Sequence, residues 1–200
     1  MSNDELESIS LIMIGDTSVG KTTLMKKFIT GKYSDSFAPT LGVELYKKEI
    51  EIDNKQYLIR IWDTCGQERF RSLSKSYFRN SDGIMLLFDL SSTQSFDNLS
   101  SWFNSIKDCG CEDIPMIVVG TKCDLECLVS KEEINKLEED NKLILKSFKC
   151  SSKENIGVEE PFIELAKIIV KLGKTREREN SKIKIKKSKT FEKKAKKRCC

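Results

Sequence analysis

The sequence predicts an α/β domain in which helices cover both faces of a mostly parallel sheet. Short apolar runs alternate along the chain with segments whose apolar residues recur at helical spacing. Two of the runs, 84–88 and 116–119, are unbroken, which is typical of strands covered on both faces. A glycine-containing loop at 15–22 joins the first run to the first helical segment. Ligands of such sheets bind at the carboxyl ends of the strands, where this loop is expected to lie.

The predicted elements alternate between the two types. Strands are predicted at 9–14, 43–53, 57–62, 84–88, 116–119 and 143–148, and helices at 21–30, 93–108, 130–139 and 158–172, with a short helix around 73–78. Asp53 and Asn54 predict a turn, so the second and third strands should form an antiparallel hairpin at one edge. Ser130 and Glu133 have the spacing of a capping box. Residues 31–42 contain turn formers and are predicted to be an exposed loop.

The composition favours one globular domain followed by a tail. Of the 200 residues, 38% are hydrophobic and 33% charged, and we find no run of about 18 apolar residues that could cross a bilayer. The acidic start lacks an apolar secretory core, so we expect no signal peptide and a cytosolic protein with reduced cysteines. The eight cysteines lack the paired spacing of a zinc site. Since the chain has no histidine, any hydrolysis would depend on positioning and electrostatics.

Charge is divided unevenly along the chain. Residues 171–200 contain 14 Lys or Arg against 3 Glu, whereas the remaining residues contain 21 against 28. The body is therefore acidic and the terminal arm basic. The arm has one aromatic residue, Phe191, so it lacks the interleaved aromatics of a nucleic-acid-binding segment, and we expect no nucleic-acid partner.

Residues 15–22 fit the phosphate loop G-x-x-x-x-G-K-[ST] at every fixed position. Gly15 and Gly20 permit backbone turns that point N–H groups at phosphate oxygens, and the following helix presents the positive end of its dipole. Lys21 supplies a charge for the β and γ phosphates, and the Thr22 hydroxyl can ligate Mg²⁺. The nucleotide contacts expected in this part of the chain are Gly15, Thr17, Ser18, Val19, Gly20, Lys21, Thr22 and Thr23.

Further polar groups follow other predicted strands and complete a nucleotide site. Asp63 can hold Mg²⁺, Gly66 lets the backbone approach the γ-phosphate, and Gln67 can orient an attacking water. Asp124 can accept hydrogen bonds from the N1–H and the 2-amino group of guanine, a donor pair that adenine lacks. The contacts expected around the base are Thr121, Lys122, Asp124, Ser151, Ser152 and Lys153.

With these motifs the chain resembles the Rab family of the Ras superfamily of small GTP-binding proteins. The resemblance covers residues 9–172, including the stretches 41–45, 58–62, 69–74, 77–81 and 86–91, and extends to the last two residues. It implies the P-loop NTPase fold of small G proteins, with a six-stranded sheet. The family's domain plan would then give an N-terminal extension at 1–8, a GTP-binding domain at 9–172 and a tail at 173–200.

The resemblance also assigns roles to individual residues. Thr40 would ligate Mg²⁺ together with Thr22 and Asp63, and Tyr33 would stack on guanine. Gln67 and Lys21 would be the catalytic residues. The apolar patch that partners recognise, here called the effector patch, would consist of Leu45, Trp62 and Tyr77.

Three positions depart from the family pattern. Thr121 replaces the usual Asn of the guanine motif, and since Rho-like members also carry Thr there, we expect binding with altered contacts to the phosphate loop. Cys65 replaces the usual Ala beside Gly66 and removes no ligand. Leu45 replaces the usual Phe of the effector patch, so the identity of the partner does not carry over.

The family mechanism is a switch between two shapes. GTP with Mg²⁺ would tether the loops 36–45 and 64–80 through the γ-phosphate, and hydrolysis would release them. Intrinsic hydrolysis in this class is slow, and an arginine supplied in trans accelerates it by a factor of about 10³ to 10⁵. The resemblance therefore implies an exchange factor, a GTPase-activating protein, and effectors that bind both loops.

The tail resembles the end of a Rab protein. Residues 173–198 have the composition of a disordered basic arm, and Cys199 and Cys200 resemble a double geranylgeranylation site. Two lipid chains beside a polybasic segment anchor a protein stably. The resemblance therefore implies prenylation machinery, a lipid-binding solubilising chaperone, and a monomer that cycles between cytosol and the cytoplasmic face of an intracellular membrane.

Other functions stay open at this point. A Rho-like regulator of the cytoskeleton is favoured by Thr121 but opposed by the terminal Cys-Cys and by the absence of a Rho-type insertion between Asp124 and Cys150. A P-loop kinase or ATPase would leave the guanine motif unexplained. A nucleotide-binding scaffold with little hydrolysis is opposed by the presence of Lys21 and Gln67. The sequence thus predicts a GTP hydrolase that acts in vesicle trafficking.

Overall fold

The protein forms one sheet of six strands within the residues that the computed structural model describes, which are 6–34, 40, 42–64 and 78–175. The strands are β1 Glu7–Gly15, β2 Val43–Ile52, β3 Lys55–Thr64, β4 Gly83–Asp89, β5 Met116–Thr121 and β6 Ile144–Lys149. Their spatial order is β2-β3-β1-β4-β5-β6, and every neighbouring pair is parallel except β2 with β3. The predicted parallel sheet with an antiparallel hairpin at one edge is therefore confirmed.

The turn between β2 and β3 explains the hairpin. Asp53 and Asn54 both have left-handed backbone conformations, with φ of 50° and 62°. Two consecutive positive φ values match the right-handed twist of the strands they join, and Asn and Asp tolerate them better than most residues. The turn residues chosen from the sequence are the ones that reverse the chain.

Helices cover both faces of the sheet. They are α1 Lys21–Thr30, α2 Thr93–Asp97, α3 Leu99–Asp108, α4 Lys131–Asp140 and α5 Glu160–Lys171. Side chains of α1 and α5 pack in the core on one face, and those of α3 and α4 pack in the core on the other. Of the short helix predicted around 73–78, only Phe78 lies within the described residues. None of the described helices combines the length and the apolar composition that crossing a bilayer requires.

One predicted helix is divided in the structure. Residues 93–108 form α2 and α3, separated by Asn98, although the prediction was a single helix. Asn98 keeps near-helical angles, and its carbonyl accepts from the amide of Ser101, three residues later, as in a tighter 3₁₀ turn. The apolar spacing continues across this tightening, so periodicity alone does not reveal it. The capping box of Ser130 and Glu133 at the start of α4 is confirmed.

Strand β2 is attached to the body of the protein through Lys48. Its ammonium donates to the carbonyl of Phe28 at 2.6 Å and lies 4.0 Å from the centre of the Phe28 ring. It also pairs with Glu159 at 3.6 Å. The Phe28 ring stacks on Phe162 of α5, with 4.0 Å between ring centres. This contact joins the edge strand, α1 and α5 at one point.

Candidate nucleotide-binding site

The phosphate loop connects the end of β1 with the start of α1. Gly15 has φ of +136°, and a Cβ there would lie 2.2 Å from the carbonyl oxygen of Leu87, so no other residue fits. Ser18 has φ of 64°, which is unusual for a residue with a side chain. Lys21 is only 5% exposed, and its ammonium donates to the carbonyls of Gly15 and Asp16 at 2.9 and 2.6 Å. The loop thus curls around its own lysine.

Three residues predicted as metal ligands lie together beside this loop. The Thr22 hydroxyl donates to Asp63 Oδ2 at 2.6 Å and lies 2.7 Å from the Thr40 hydroxyl. Because a hydroxyl carries one hydrogen, the second contact has Thr40 as the donor. Asp63 is fully buried. Burial raises the pKa of Asp63, and the hydrogen bond from Thr22 and the charge of Lys21 offset only part of this effect.

The donor set fits a divalent cation. Asp63 Oδ1 is buried, and no group in the described part of the chain donates a hydrogen bond to it. An unpaired buried carboxylate oxygen is costly unless a cation or a donor satisfies it. Carboxylate and hydroxyl oxygens are the ligands that Mg²⁺ prefers. Asp63, Thr22 and Thr40 could therefore hold Mg²⁺.

Thr121, the departure from the family's guanine motif, contacts two main-chain carbonyls. Its hydroxyl lies 2.5 Å from the carbonyl of Val19 in the phosphate loop and 3.0 Å from the carbonyl of Phe88 at the end of β4. The side chain is 3% exposed. The shorter contact joins the guanine motif directly to the phosphate loop.

Lys122 is held by a carboxylate that sequence reasoning missed. Its ammonium pairs with Asp89 Oδ2 at 2.6 Å, and Lys122 has a left-handed backbone with φ of 56°. Burial by itself would raise the pKa of Asp89, but the hydrogen bonds from Lys122 and Ser91 outweigh burial and hold the pKa below its usual value. Asp89 directly follows a buried apolar run, as Asp63 does, and that position was the signal available in the sequence.

Backbone hydrogen bonds bring the last predicted loop beside the guanine motif. The Cys123 amide donates to the carbonyl of Cys150, and the Cys150 amide donates to the carbonyl of Gly120. Ser151 is fully buried and exchanges two main-chain hydrogen bonds with Ile156. Burial raises the pKa of the Cys150 thiol to about 12, so this thiol is protonated at neutral pH. Asp124 and Ser152 are half-buried and Lys153 is exposed at the same edge.

The remaining predicted site residues fall into two groups. Tyr33 and Trp62 are half-buried and Leu45 is 40% exposed. Several others lie outside the described residues: Cys65, Gly66, Gln67, Tyr77, Cys199 and Cys200. Sequence reasoning also missed Asp16, which accepts hydrogen bonds from Asn98 and Trp102. No spacing rule links residues more than 80 positions apart.

Comparison with known proteins agrees with this site. The profile of the Ras family matches residues 10–171. The GTP-binding protein ypt2 of Schizosaccharomyces pombe is 39% identical over 82% of this chain and 82% of its own length. Ras-related protein Rab-8B of Bos taurus is 38% identical over 86% and 83%, and Ras-related protein Rab-13 of Bos taurus is 33% identical over 94% of each chain.

These relatives do not favour the Rho-like alternative. Proteins of the family bind GTP and GDP, typically with Mg²⁺, and interact with exchange factors, activating proteins and effectors. The matches cover most of each chain, and the described site has the corresponding loops at the carboxyl ends of the strands. The chain therefore belongs to the Rab family of the Ras superfamily, whose members are small GTPases that hydrolyse GTP and act in vesicle trafficking.

Proposed function

We propose that this protein is a guanine-specific switch with Mg²⁺ at Thr22, Thr40 and Asp63, and that it works from the cytoplasmic face of an intracellular membrane. The observation that carries the nucleotide part is the convergence of these three oxygens beside the buried Lys21. Asp63 Oδ1 has no donor among the described residues, and this favours a bound cation as its partner.

The phosphates would lie in the loop between β1 and α1. Lys21, now bonded to two loop carbonyls, would turn to the β and γ phosphates, and the amides of residues 17–23 would point inward at their oxygens. Bound Mg²⁺ would neutralise charge that develops on the phosphates during hydrolysis. Gln67 would orient the attacking water, as the family resemblance implies.

The base would lie between the guanine motif and the loop at 151–153. Asp124 would accept from N1–H and the 2-amino group, the Lys122 stem would cover one face of the purine, and the Ser152 amide would donate to the 6-oxo group. Tyr33 would stack on guanine. The hydrogen bonds that join Cys123, Cys150 and Gly120 support this arrangement, because they hold the two loops at a fixed separation.

Membrane attachment would come from the tail. Cys199 and Cys200 would carry lipids added by prenylation machinery, and the basic residues of 173–198 would contact anionic headgroups. A lipid-binding chaperone would return the monomer to the cytosol. Leu45, Trp62 and Tyr77 would form the effector patch, and Leu45 supports this role by exposing 40% of its surface.

Competition binding tests the nucleotide part. Nucleotide-free protein with excess Mg²⁺ would be titrated with a fluorescent GDP analogue in the presence of GTP, XTP or ATP. We expect GTP to compete far better than the other two, and chelation of Mg²⁺ to weaken GTP binding. Equal competition by ATP would overturn the roles of Lys122, Asp124 and Ser152.

A second experiment tests membrane attachment. The full chain and a C199S/C200S variant would be produced in eukaryotic cells and separated into membrane and soluble fractions. We expect the wild type in both fractions, with two added isoprenoid groups by intact mass, and the variant in the soluble fraction only. A wild type without added mass would overturn the lipidation proposal and leave the nucleotide proposal unaffected.

A further inference from the structure

The phosphate loop contains a carboxylate, Asp16, that is hydrogen-bonded to a distant helix. Asp16 Oδ1 accepts from the indole Nε1–H of Trp102 at 2.9 Å, and Asp16 Oδ2 accepts from the amide Nδ2–H of Asn98 at 2.7 Å. Each oxygen therefore has its own donor. Both donors belong to the start of α3, which follows the loop by more than 80 residues in the sequence.

The start of α3 is built for this contact. Asn98 occupies the N-cap position, where an Asn side chain ordinarily bonds a backbone amide of the first helical turn, but it makes no such bond. Its side chain is used for Asp16 instead. Trp102 follows four residues later and so lies on the same helix face. Its ring is 4% exposed, so packing fixes the direction of the indole N–H.

The same residue also holds the lysine of the loop. The main-chain carbonyl of Asp16 accepts from Lys21 Nζ at 2.6 Å while its side chain is held by α3. Fixing the carboxylate therefore fixes the peptide unit from which Lys21 would turn to the phosphates. A carboxylate in a phosphate-binding loop would also repel the polyphosphate, and two donors that direct it towards α3 reduce that repulsion.

We propose that Asn98 and Trp102 are positioning residues that hold Asp16, and through it the phosphate loop, in the shape that retains nucleotide. Helix α3 thereby sets the rate of nucleotide release. This inference rests on the proposed nucleotide site and extends it to residues that do not touch the ligand. A partner that shifts the start of α3 would loosen the phosphate loop without entering the nucleotide site.

Nucleotide release from single variants tests the inference. Wild type, W102F and N98A would be loaded with a fluorescent GDP analogue, and its dissociation would be followed in excess Mg²⁺ and unlabelled GDP. Loss of one hydrogen bond to a charged group corresponds to a change of roughly 10- to 100-fold. Because Asn98 and Trp102 do not touch the nucleotide and each leaves the other bond in place, we expect a smaller effect, with release from each variant about 3- to 10-fold faster. I106V, a truncation one turn later on the buried side of α3, is the matched control and should release nucleotide at the wild-type rate.

A spectroscopic readout separates positioning from general destabilisation. The chain has two tryptophans, so a ¹⁵N-correlated NMR spectrum contains two indole N–H signals, and W102F identifies the one from Trp102. We expect D16A to move that signal upfield and to expose it to faster hydrogen exchange, while I106V leaves it in place. Asn98 is half-buried, and N98A should fold even if W102F does not.

The outcomes distinguish the two proposals. Wild-type release rates in both N98A and W102F, with nucleotide bound normally, would overturn the positioning role and leave the nucleotide site standing. Faster release from I106V equal to that from N98A would also overturn it, because the effect would then follow stability. Failure of the wild type to bind GTP would overturn the proposed function itself.

Discussion

The two ends of the candidate site differ in how far the protein completes them by itself. At the guanine end, Lys122 is paired with Asp89, and the Thr121 hydroxyl is bonded to Val19. At the metal end, Asp63 keeps a buried oxygen without a donor among the described residues. The pKa of Asp89 is held low by its partners, whereas the pKa of Asp63 is raised by burial.

The difference teaches which part of the site the ligand must stabilise. A carboxylate with a lowered pKa already has the charges and donors it needs, so its loop can be rigid before the base arrives. For Asp63 the hydrogen bond from Thr22 and the charge of Lys21 offset only part of the cost of burial, so a bound cation would stabilise its charged form further. We therefore expect nucleotide specificity to be a property of the folded chain before ligand binds. The residues around Thr22 and Thr40 should instead become better ordered when the ligand binds.

The largest expected effect is on specificity. D124N keeps an oxygen acceptor for the N1–H of guanine but places an amide donor opposite the 2-amino group. Loss of one hydrogen bond to a charged group, weakening of the other and the opposed donors should together weaken GTP binding by roughly 10²- to 10⁴-fold. The same change creates a donor for the 2-oxo group of xanthine, so XTP should bind better than GTP. Competition binding measures both. E126Q, an exposed change in the same loop, is the control, and equal GTP affinity in both variants would contradict a rigid guanine end.

The second effect concerns the metal end. The same substitution should weaken ligand binding but stabilise the ligand-free protein. D63N should remove the Mg²⁺ dependence of GTP binding and raise Kd by at least roughly tenfold, since a cation ligand loses its charge. In nucleotide-free protein with chelator, the same variant should melt at a higher temperature at pH 7, because a buried charge with one unsatisfied oxygen is removed.

The stabilisation has a defined pH dependence. Because the folded-state pKa of Asp63 is raised, ionisation costs stability as the pH rises through that pKa, and the advantage of D63N should shrink in more acidic buffer. Thermal melts between pH 4 and pH 7 of roughly equal ionic strength would show the trend. D97N, an exposed carboxyl of α2, is the control. A lower melting temperature for nucleotide-free D63N would contradict the view that the ionised Asp63 side chain destabilises the ligand-free protein.

The third effect concerns the contact between the guanine motif and the phosphate loop. T121V keeps the shape of the side chain and removes the hydroxyl, whose one hydrogen lies between the carbonyls of Val19 and Phe88, which should cost about 1 to 3 kcal/mol of unfolding free energy. Nucleotide release should be faster as well, because the phosphate loop loses its contact with the guanine motif. Denaturant unfolding and release kinetics measure the two changes. T121S retains a hydroxyl and should behave as the wild type, and equal losses in both variants would argue that packing alone matters.

The smallest effect is expected from acid. The lowered folded-state pKa of Asp89 means that its pairing with Lys122 stabilises the protein above the ordinary pKa of about 4, and that this contribution is lost as the pH falls through the lowered value. The difference in unfolding free energy between wild type and D89N should therefore be constant from neutral pH to about pH 5 and decrease below that. A difference that stays unchanged at pH 3 would show that the pair does not determine it.

The sequence predicted those parts of the fold that depend on interactions between neighbouring residues. The hairpin at Asp53 and Asn54, the capping box of Ser130, and α1 directly after Gly20 each depend on neighbouring residues. The break at Asn98 did not follow, because apolar spacing runs through it. It coincides with a side chain that bonds a residue in the phosphate loop.

The candidate site shows the same difference between local and long-range contacts. The positions of Lys21, Thr22 and Asp63 come from a loop and a strand end that the sequence marks clearly. The partners of Lys122 and of Asp16 come from distant strands and helices. Their pairing depends on which elements become neighbours in the folded sheet, and a single sequence does not contain that information in its spacing.

The contact of Lys48 has a mechanical consequence. The ammonium binds the end of α1 and the ring of Phe28, which is itself stacked on Phe162, so β2 has a fixed pivot near its middle. Beyond the pivot, Ile50 and Ile52 are buried, whereas Glu44 and Leu45 before it are exposed. The five strand residues before the pivot, 43–47, are paired with β3. A pull on the start of the strand would therefore act on an arm of at most about 17 Å, at the strand rise per residue, that β3 also braces. The Lys48 pivot would thereby limit how far a displacement at the start of β2 travels along the strand towards Ile50 and Ile52.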